Sequence, residues 1–291
     1  MNAVYQASHI KRSRATRGQV EGRRVALLDI IAAMRPMTVR QVFYQATVKG
    51  IVEKSEAGYS KVQTDLVAMR RAGQLPYAWL ADNTRWQRKP VTFGSIQEAL
   101  QDTARFYRKS LWRNAGRYVE VWLEKDALAG VVTPVTDEYD VPLMVARGYA
   151  SLSFLHTAAE HIAAMDVPTF IFHLGDYDPS GVNAGEKIEQ TLRELAPDAE
   201  IYFARIGVTL EQIQQWNLPT RPTKQTDSRA KGFGEISVEL DAISPEALRA
   251  LVRSWIEKLM PQDELRVLQV AEQSERATLL NLVAGLQEAA R

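Results

Sequence analysis

The apolar and polar positions near the start of the chain follow a helical period. Apolar side chains recur every three to four residues in the runs after Arg24, Thr38 and Ser60, which predicts three short helices. Thr38 and Ser60 are the predicted N-caps of the second and third helices, and Gly50 and Gly73 are predicted to end them. The aromatic run LPYAWLADNTRW follows and has the composition of an extended strand pair. Three short helices before an extended segment are typical of a winged-helix DNA-binding domain.

The pattern changes in the second part of the chain. Short apolar runs such as YVEVWL, VPLMVA and TFIFHLG alternate with helical stretches, which is typical of βαβ units and of a mostly parallel sheet. A polar loop is predicted from about Gln225 to Gly234, and two amphipathic helices close the chain. The predicted fold class is therefore α/β: a winged-helix domain, then a Rossmann-like domain with a mostly parallel sheet, then C-terminal helices.

The chain of 291 residues is long enough for two domains, and 46% of its residues are hydrophobic. The predicted boundaries are 1–23 for a basic N-terminal arm, 24–95 for the winged-helix domain, 96–117 for a linker helix, 118–235 for the sheet domain and 236–291 for a C-terminal helical extension. The sequence has no cysteine, which excludes disulfides, thiolate zinc sites and cysteine nucleophiles. It also has neither a membrane-spanning apolar run nor the apolar core of a secretory signal. We therefore expect no membrane partner, and a location in the cytoplasm or at the nucleoid, or in the host cytoplasm for a viral protein.

The charge is divided between two halves of the chain. Residues 1–117 contain 21 Lys and Arg against 8 Asp and Glu, a net charge of +13, whereas the rest contains 15 against 27, a net charge of −12. This asymmetry favours a basic half that binds a polyanion, and we expect double-stranded DNA as the partner. The predicted DNA-binding residues lie on the third helix and in the extended segment: Lys61, Gln63, Arg70, Arg71 and Arg85. The alternative is a solvated basic surface.

Three carboxylates are predicted to lie just after strands. YVEVWL runs into Glu124, and TFIFHLG runs into Asp176, with Asp178 two residues later. Ligands of open α/β sheets bind beyond such strand ends, and Mg²⁺ prefers oxygen ligands, so these side chains are a candidate site for one or two magnesium ions. Taken alone, GDYDPSG is also good turn chemistry, in which Asp178 caps the following helix. His173 is predicted to lie near this site.

Two separate motifs together resemble a known family. LEKDAL around Glu124 and HLGDYDPSG around Asp176 look like the Toprim domain of topoisomerases and primases. Within that superfamily, the DPSG continuation is similar to the A subunit of topoisomerase VI and the meiotic double-strand-break proteins, and the chain length resembles their stand-alone Mini-A relatives. A second motif of the family, Thr-x-Arg-x-x-aromatic-Tyr, is matched by TVRQVFY, with Arg40 and Tyr44 in register. RGYASLSFL resembles a further family segment, although Ala150 stands where the family has proline.

The resemblance implies a DNA-cleaving enzyme of the type IIB topoisomerase kind. Tyr44 would attack a phosphodiester and form a 5′-phosphotyrosyl link, with Arg40 stabilising the developing charge. Mg²⁺ held by Glu124, Asp176 and Asp178 would stabilise charge on the phosphate, and Glu124 would also transfer a proton. The family works as a homodimer in which the tyrosine of one subunit meets the metal site of the other, so we expect a homodimer here.

The sequence also leaves other functions open. It contains no Gly-rich loop of the type that cradles ATP phosphates, so we expect no ATP site in this chain. Strand passage would then need a separate ATPase subunit, or the chain cuts and rejoins DNA without one. One alternative is a Toprim nuclease that uses water as its nucleophile, with Tyr44 as a structural residue. The other is a non-catalytic DNA-binding protein.

Overall fold

Three helices form the N-terminal unit of the fold. The computed structural model describes residues 15–81, 91–223, 233–260 and 262–289. The three helices are α1 (Arg17–Met34), α2 (Val39–Val48) and α3 (Glu56–Arg71). Each begins after a residue whose side chain accepts a hydrogen bond from a backbone N–H in the first turn: Thr16, Thr38 and Ser55. The predicted cap of α2, Thr38, is confirmed.

Two helix starts differ from the prediction. α1 begins at Arg17, inside the predicted basic arm, because Thr16 and Gln19 form a capping box there. α3 begins one turn before Ser60, so the prediction that Ser60 caps this helix is wrong. Ser55 caps the helix instead, because its hydroxyl accepts the N–H of Gly58 in the first turn (3.1 Å).

The described start of the segment after α3 forms a 3₁₀ turn where its aromatic residues predict a strand. Tyr77–Trp79 form a 3₁₀ turn whose last N–H bonds to the carbonyl of Pro76 (3.1 Å). Leu80 then makes an isolated parallel bridge with Met37. The local hydrogen bonds of the 3₁₀ turn after Pro76 thus take the place of the expected strand pairing in Tyr77–Trp79. The rest of the predicted extended segment, including Arg85, lies outside the described residues, so the N-terminal unit is described as three helices and not as a winged helix.

A four-stranded sheet forms the centre of the second unit. Its strands are β1 (Tyr118–Leu123), β2 (Leu143–Val145), β3 (Thr169–Leu174) and β4 (Ile201–Gly207). The strand order is β2-β1-β3-β4, and every pairing is parallel. The α/β class with a parallel sheet is therefore confirmed, and the architecture is compatible with a Rossmann-like core.

Helices cover both faces of this sheet, as a buried parallel sheet requires. They are α5 (Ala129–Glu138), α6 (Leu152–Met165), α7 (Pro179–Leu195) and α8 (Leu210–Gln215). Alternate strand residues belong to different cores. Trp122 and Ile171 share one core with residues of α6 and α7, whereas Val121 and Phe172 belong to a larger core that includes α5 and the N-terminal helices. The larger core therefore joins the two units.

The chain after β4 returns to the edge of the sheet. It contains the two-residue antiparallel strands β5 (Arg221–Pro222) and β6 (Ile236–Ser237), a 3₁₀ turn (Leu240–Ala242), and the helices α9 (Pro245–Glu257) and α10 (Gln262–Ala289). In the part of the chain that the structure describes, the helices all lack the combination of length and apolarity that a membrane crossing requires.

The linker helix α4 (Ile96–Phe106) is shorter than predicted. Beyond it, side-chain carboxylates take the backbone N–H groups that a longer helix would have used. The N–H of Lys109 bonds to Glu272 of α10 (2.9 Å), and the N–H of Leu111 bonds to Asp140 (3.0 Å). The irregular connection before β1 is thus held against α10.

Candidate active site

Two carboxylates meet at the carboxyl ends of β1 and β3. The N–H of Glu124 bonds to the carbonyl of Leu174 (2.9 Å), which continues the β1–β3 pairing by one residue. Oε2 of Glu124 then accepts the N–H of Asp176 (2.9 Å). Burial, followed by the negative charge of Asp176, raises the pKa of Glu124, and burial also raises the pKa of Asp176. The structure therefore brings together two of the three predicted metal ligands.

Glycines leave the space that these carboxylates occupy. A Cβ at Gly175 would lie 2.6 Å from Oε2 of Glu124, and one at Gly181 would lie 3.0 Å from the same oxygen and 2.5 Å from the carbonyl oxygen of Asp176. A larger side chain at either position would displace a carboxylate or the backbone. We refer to Gly175 and Gly181, which leave room for the Glu124 carboxylate, as the glycine cradle. Arg205 of β4 contacts both glycines, because it donates to the carbonyls of Gly175 (2.8 Å) and Gly181 (3.3 Å).

Asp178 has a different environment. Its Oδ1 accepts the N–H of Gly181 (2.8 Å), as the N-cap of α7, and the hydroxyl of Ser180 (2.7 Å). Its Oδ2 pairs with Nη2 of Arg221 (3.1 Å). Burial by itself raises the pKa of Asp178, but these donors outweigh burial and lower it. The capping role that GDYDPSG allows is therefore the one observed.

Whether a magnesium ion fits this site depends on the oxygen ligands that lie near the glycine cradle. Within the described ranges, no three Asp, Glu, His or Cys side chains form a group that could hold a metal ion. Glu124 and Asp176 are nevertheless neighbouring acids, joined by the hydrogen bond from the Asp176 N–H to Oε2 of Glu124, and carboxylates are ligands that Mg²⁺ accepts with water in its other positions. This pair suits Mg²⁺ chemically, whereas Asp178 can join it only by leaving Arg221.

Lys125 lies in an acidic cage formed by Asp176, Glu239 and Asp241. Its Nζ is 2.9 Å from Oδ1 of Asp176, 2.8 Å from Oδ2 of Asp241 and 3.4 Å from Oε2 of Glu239. Burial by itself lowers the pKa of Lys125, but the three negative charges outweigh burial and raise it. The ammonium group is therefore charged at neutral pH.

Tyr44 lies on α2 and is almost fully buried, with 6% of the residue exposed. Its ring packs against that of Phe43 (5.5 Å between centroids), and Nζ of Lys54 lies 5.8 Å from its ring centroid. Burial, followed by the negative charge of Glu239, raises the pKa of Tyr44 to about 12, while the positive charge of Lys125 acts in the opposite direction. The phenol is therefore protonated at neutral pH.

Arg40 lies one helical turn before Tyr44, and the negative charges of Glu239 and Asp241 act on it as well. Its Nη1 lies 2.6 Å from Oε2 of Glu239. α2 is also attached to the turn after β6, because the hydroxyl of Thr38 donates to Oδ1 of Asp241 (3.2 Å). These contacts hold α2, which carries Tyr44, against acids of its own chain. Its pairing with the metal site of a second subunit stays a prediction.

A cleft of about 500 Å³ lies between α2, α3 and the residues that follow β1. Arg40 and Tyr59 line it from the helical unit, and Lys125 and Asp241 line it from the side of the sheet. The cleft thus lies between the basic and acidic halves of the chain, next to Lys125 and Asp241 of the acidic cage.

The predicted DNA-binding residues differ in their surroundings. Lys61 and Arg71 are exposed on α3, and Gln63 and Arg70 line the cleft. Nη2 of Arg70 donates to two backbone carbonyls of the segment after α3 (2.9 and 3.4 Å), so this residue also holds that segment in place. Arg85 lies outside the described residues. Contact of these residues with DNA stays a prediction.

Several charged residues of the site are absent from the sequence-based set: Lys125, Arg205, Arg221, Glu239 and Asp241. The two acids follow the short run EISV with the spacing i, i+2, which is also the spacing of Asp176 and Asp178 after β3. That repeated spacing is a signal that could have identified them. The three cations carry no comparable pattern.

Comparison with protein-family models gives no match, and comparison with curated proteins gives no significant match. The motifs of this chain and the geometry of its site are therefore the evidence on its function.

Proposed function

We propose that this protein is a DNA-cleaving enzyme that resembles the A subunit of topoisomerase VI and cuts by tyrosyl transesterification. The supporting observation is a continuous series of ion pairs that runs from Arg40, beside Tyr44, through Glu239 and Lys125 to Asp176. This series connects the proposed nucleophile with the acids at the edge of the sheet. The net charge of +13 in residues 1–117 supports double-stranded DNA as the substrate. A second copy of the chain is the proposed partner for cutting both strands.

In the proposed reaction, the phenolic oxygen of Tyr44 attacks the phosphorus of a DNA phosphodiester. A bond forms between Oη of Tyr44 and phosphorus, and the bond from phosphorus to the 3′ oxygen breaks. The phenol gives up its proton to a base, and the 3′ oxygen gains one and leaves as a hydroxyl. We assign Glu124 as the general acid that gives the 3′ oxygen its proton in cleavage and takes it back in resealing, because its raised pKa brings it closer to neutral pH, and water takes the proton of the phenol. One ester replaces another, so resealing needs no ATP.

The cations near Tyr44 assist this attack. A phenol with a pKa of about 12 forms little phenolate at neutral pH. Arg40 and Lys125 would stabilise the negative charge that develops on the phenolic oxygen and on the phosphate. Because only 6% of Tyr44 is exposed, the elements that cover it have to separate before the phenol can reach phosphorus.

Magnesium is the proposed cofactor, as one or two ions. Glu124 and Asp176 would hold it, and Asp178 would join them after release from Arg221. When bound, the ion would supply a positive charge that stabilises the phosphate oxygens. In the DNA-free chain, Lys125 neutralises part of the charge of Asp176 at 2.9 Å.

The test is a covalent-adduct assay with 3′-end-labelled duplex DNA, Mg²⁺ and a denaturing gel. We expect label attached to the parent protein and none attached to the Tyr44→Phe or Asp176→Asn variants. Tyr59→Phe is the matched control, because Tyr59 lines the cleft beside Arg40 and the substitution removes the same hydroxyl group. An adduct that survives Tyr44→Phe would rule out Tyr44 as the nucleophile.

The burial of Tyr44 favours one alternative, a nuclease that uses water. This enzyme would give free DNA ends that persist in Tyr44→Phe and disappear in Asp176→Asn. A non-catalytic DNA-binding protein would give neither product. The same gel therefore separates the three functions.

A further inference from the structure

Glu239 lies where cations from three separate elements meet. Its Oε2 is 2.6 Å from Nη1 of Arg40 on α2 and 3.4 Å from Nζ of Lys125 after β1. Its Oε1 is 3.2 Å from Nη1 of Arg221 on β5. Only 12% of the Glu239 side chain is exposed, so water screens these ion pairs less than it screens surface pairs. The fold therefore directs three positive charges at one carboxylate.

This arrangement has the chemistry of a phosphate site. Two guanidinium groups and one ammonium group are the donors that proteins use for phosphate oxygens. A carboxylate presents two oxygens and one negative charge, and a DNA phosphodiester presents two non-bridging oxygens and one negative charge. A phosphate could thus replace the Glu239 carboxylate on the same donors.

The position of Glu239 also matches the proposed chemistry. Among the charges that act on the phenol of Tyr44, that of Glu239 has the largest effect. Since Arg40 pairs with Glu239 at 2.6 Å and lies one helical turn before Tyr44, an anion that takes the place of Glu239 would lie beside the helix that carries the proposed nucleophile. Lys125 would hold this anion on one side and the Asp176 carboxylate on the other.

We infer that Glu239 is an internal substitute for the phosphate of DNA. In the DNA-free chain its carboxylate occupies the anion site formed by Arg40, Lys125 and Arg221, and the phosphate to be attacked displaces it when DNA binds. The identity of that anion and the inhibitory role of Glu239 rest on the proposed function, whereas the anion site itself does not. Arg221 thereby becomes a phosphate-binding residue, and Glu239 an autoinhibitory residue that keeps the site closed before DNA arrives.

The first test measures affinity for duplex DNA without cleavage, in the Tyr44→Phe background and without Mg²⁺. Glu239→Gln keeps the shape of the side chain and removes its charge, so DNA should bind about tenfold more tightly. Glu235→Gln is the matched control, because Glu235 is exposed, lies four residues earlier and carries the same charge. We expect it to change the affinity by less than about twofold. Equal gains in the two variants would overturn the inference, since they would report overall charge alone.

The second test uses inorganic phosphate as the probe and depends on neither DNA binding nor cleavage. At constant ionic strength, phosphate should raise the melting temperature of Glu239→Gln and leave those of the parent and of Glu235→Gln unchanged, because only the first variant has an open anion site. Adding Arg221→Gln to Glu239→Gln should abolish the rise. The absence of any phosphate effect on Glu239→Gln would overturn the inference.

These outcomes separate the inference from the proposed function. Adducts formed by the parent, together with equal DNA affinities of Glu239→Gln and Glu235→Gln, would retain the function and overturn the inference. Phosphate stabilisation of Glu239→Gln without adducts from the parent would support the anion site and overturn the function. If Glu239→Gln fails to fold, Glu239→Asp provides the test: the shorter side chain draws the carboxylate away from Arg40 and Arg221, and DNA affinity should rise about threefold.

Discussion

Replacing Lys125 by methionine would remove the positive charge from the acidic cage and keep a side chain of similar length. Three carboxylates would lose a cation that lies 2.8 to 3.4 Å from each of them. Asp241 is the most affected, because its side chain is only 2% exposed and its remaining hydrogen bond to the hydroxyl of Thr38 (3.2 Å) is neutral.

The magnitude of the loss follows from this burial. Removing one partner of a buried ion pair costs about 3 to 5 kcal/mol, since the other charge is left uncompensated. The Lys125 side chain is 21% exposed, so water reaches part of the cage, and Arg40 and Arg221 continue to neutralise Glu239. We therefore expect Lys125→Met to lower the free energy of unfolding by about 3 kcal/mol at pH 8. The melting temperature should fall by roughly 6 to 12 °C.

The loss should depend on pH in a defined direction. Lys125 lowers the pKa of Asp176 and of Glu239 in the folded protein, so its removal raises both. A folded state with raised carboxyl pKa values binds protons more readily than the unfolded chain, and its stability relative to the parent recovers as pH falls. The deficit of Lys125→Met should therefore be full at pH 8 and smaller at pH 5.

Thermal unfolding followed by circular dichroism at pH 8 and pH 5 measures both effects. Lys61→Met is the control, because Lys61 is exposed on α3, and it should change the free energy of unfolding by less than about 0.5 kcal/mol. Adding Asp241→Asn to Lys125→Met should restore part of the lost stability. A loss no greater than that of the control, or a loss equal at both pH values, would refute this reasoning.

Two further predictions concern the glycine cradle and the strand beneath it. Burial lowers the pKa of His173 from 6.5 to about 3, so the unfolded chain binds the proton first and stability should fall as pH drops through this range. Denaturant unfolding of His173→Leu should show a flatter pH profile, and a profile equal to the parent's would contradict the prediction. Gly181→Ala should cost about 1 to 3 kcal/mol and abolish adducts, because its Cβ would lie 2.5 Å from the carbonyl oxygen of Asp176. Gly285→Ala on α10 meets nothing within 4 Å and should stabilise by roughly 0.5 to 1 kcal/mol; equal melting temperatures for the two alanine variants would argue against a tight cradle.

The parallel sheet and its acidic edge could be predicted because the signals are local. Continuous apolar runs identify β1 and β3, and the acids that follow them, Glu124 and Asp176, meet because neighbouring parallel strands end at the same edge. The aromatic run after α3 was misleading for the opposite reason. Its β-type composition is overridden by Pro76 and by the 3₁₀ hydrogen bonds that follow it.

The partners of these acids could not be predicted, because they come from remote parts of the chain. Nothing near Lys125 in the sequence distinguishes it from a solvated lysine. Glu239 and Asp241, which complete the acidic cage, follow it at separations of 114 and 116 positions. From its sequence context, Asp178 could be either a metal ligand or the N-cap of a helix. Its environment depends on Arg221, which is 43 residues away.

The hydroxyl of Thr38 gives the tyrosine-bearing helix a pivot. Its Oγ1 accepts the N–H of Gln41 (3.1 Å) at the start of α2 and donates its own proton to Asp241 (3.2 Å). Tyr44 lies six residues farther on, about 9 Å along the helix axis. A tilt of roughly 20° about Thr38 would move a point at that distance along the axis by on the order of 3 Å. A rigid tilt of this size would displace the ring without unwinding the helix that carries it.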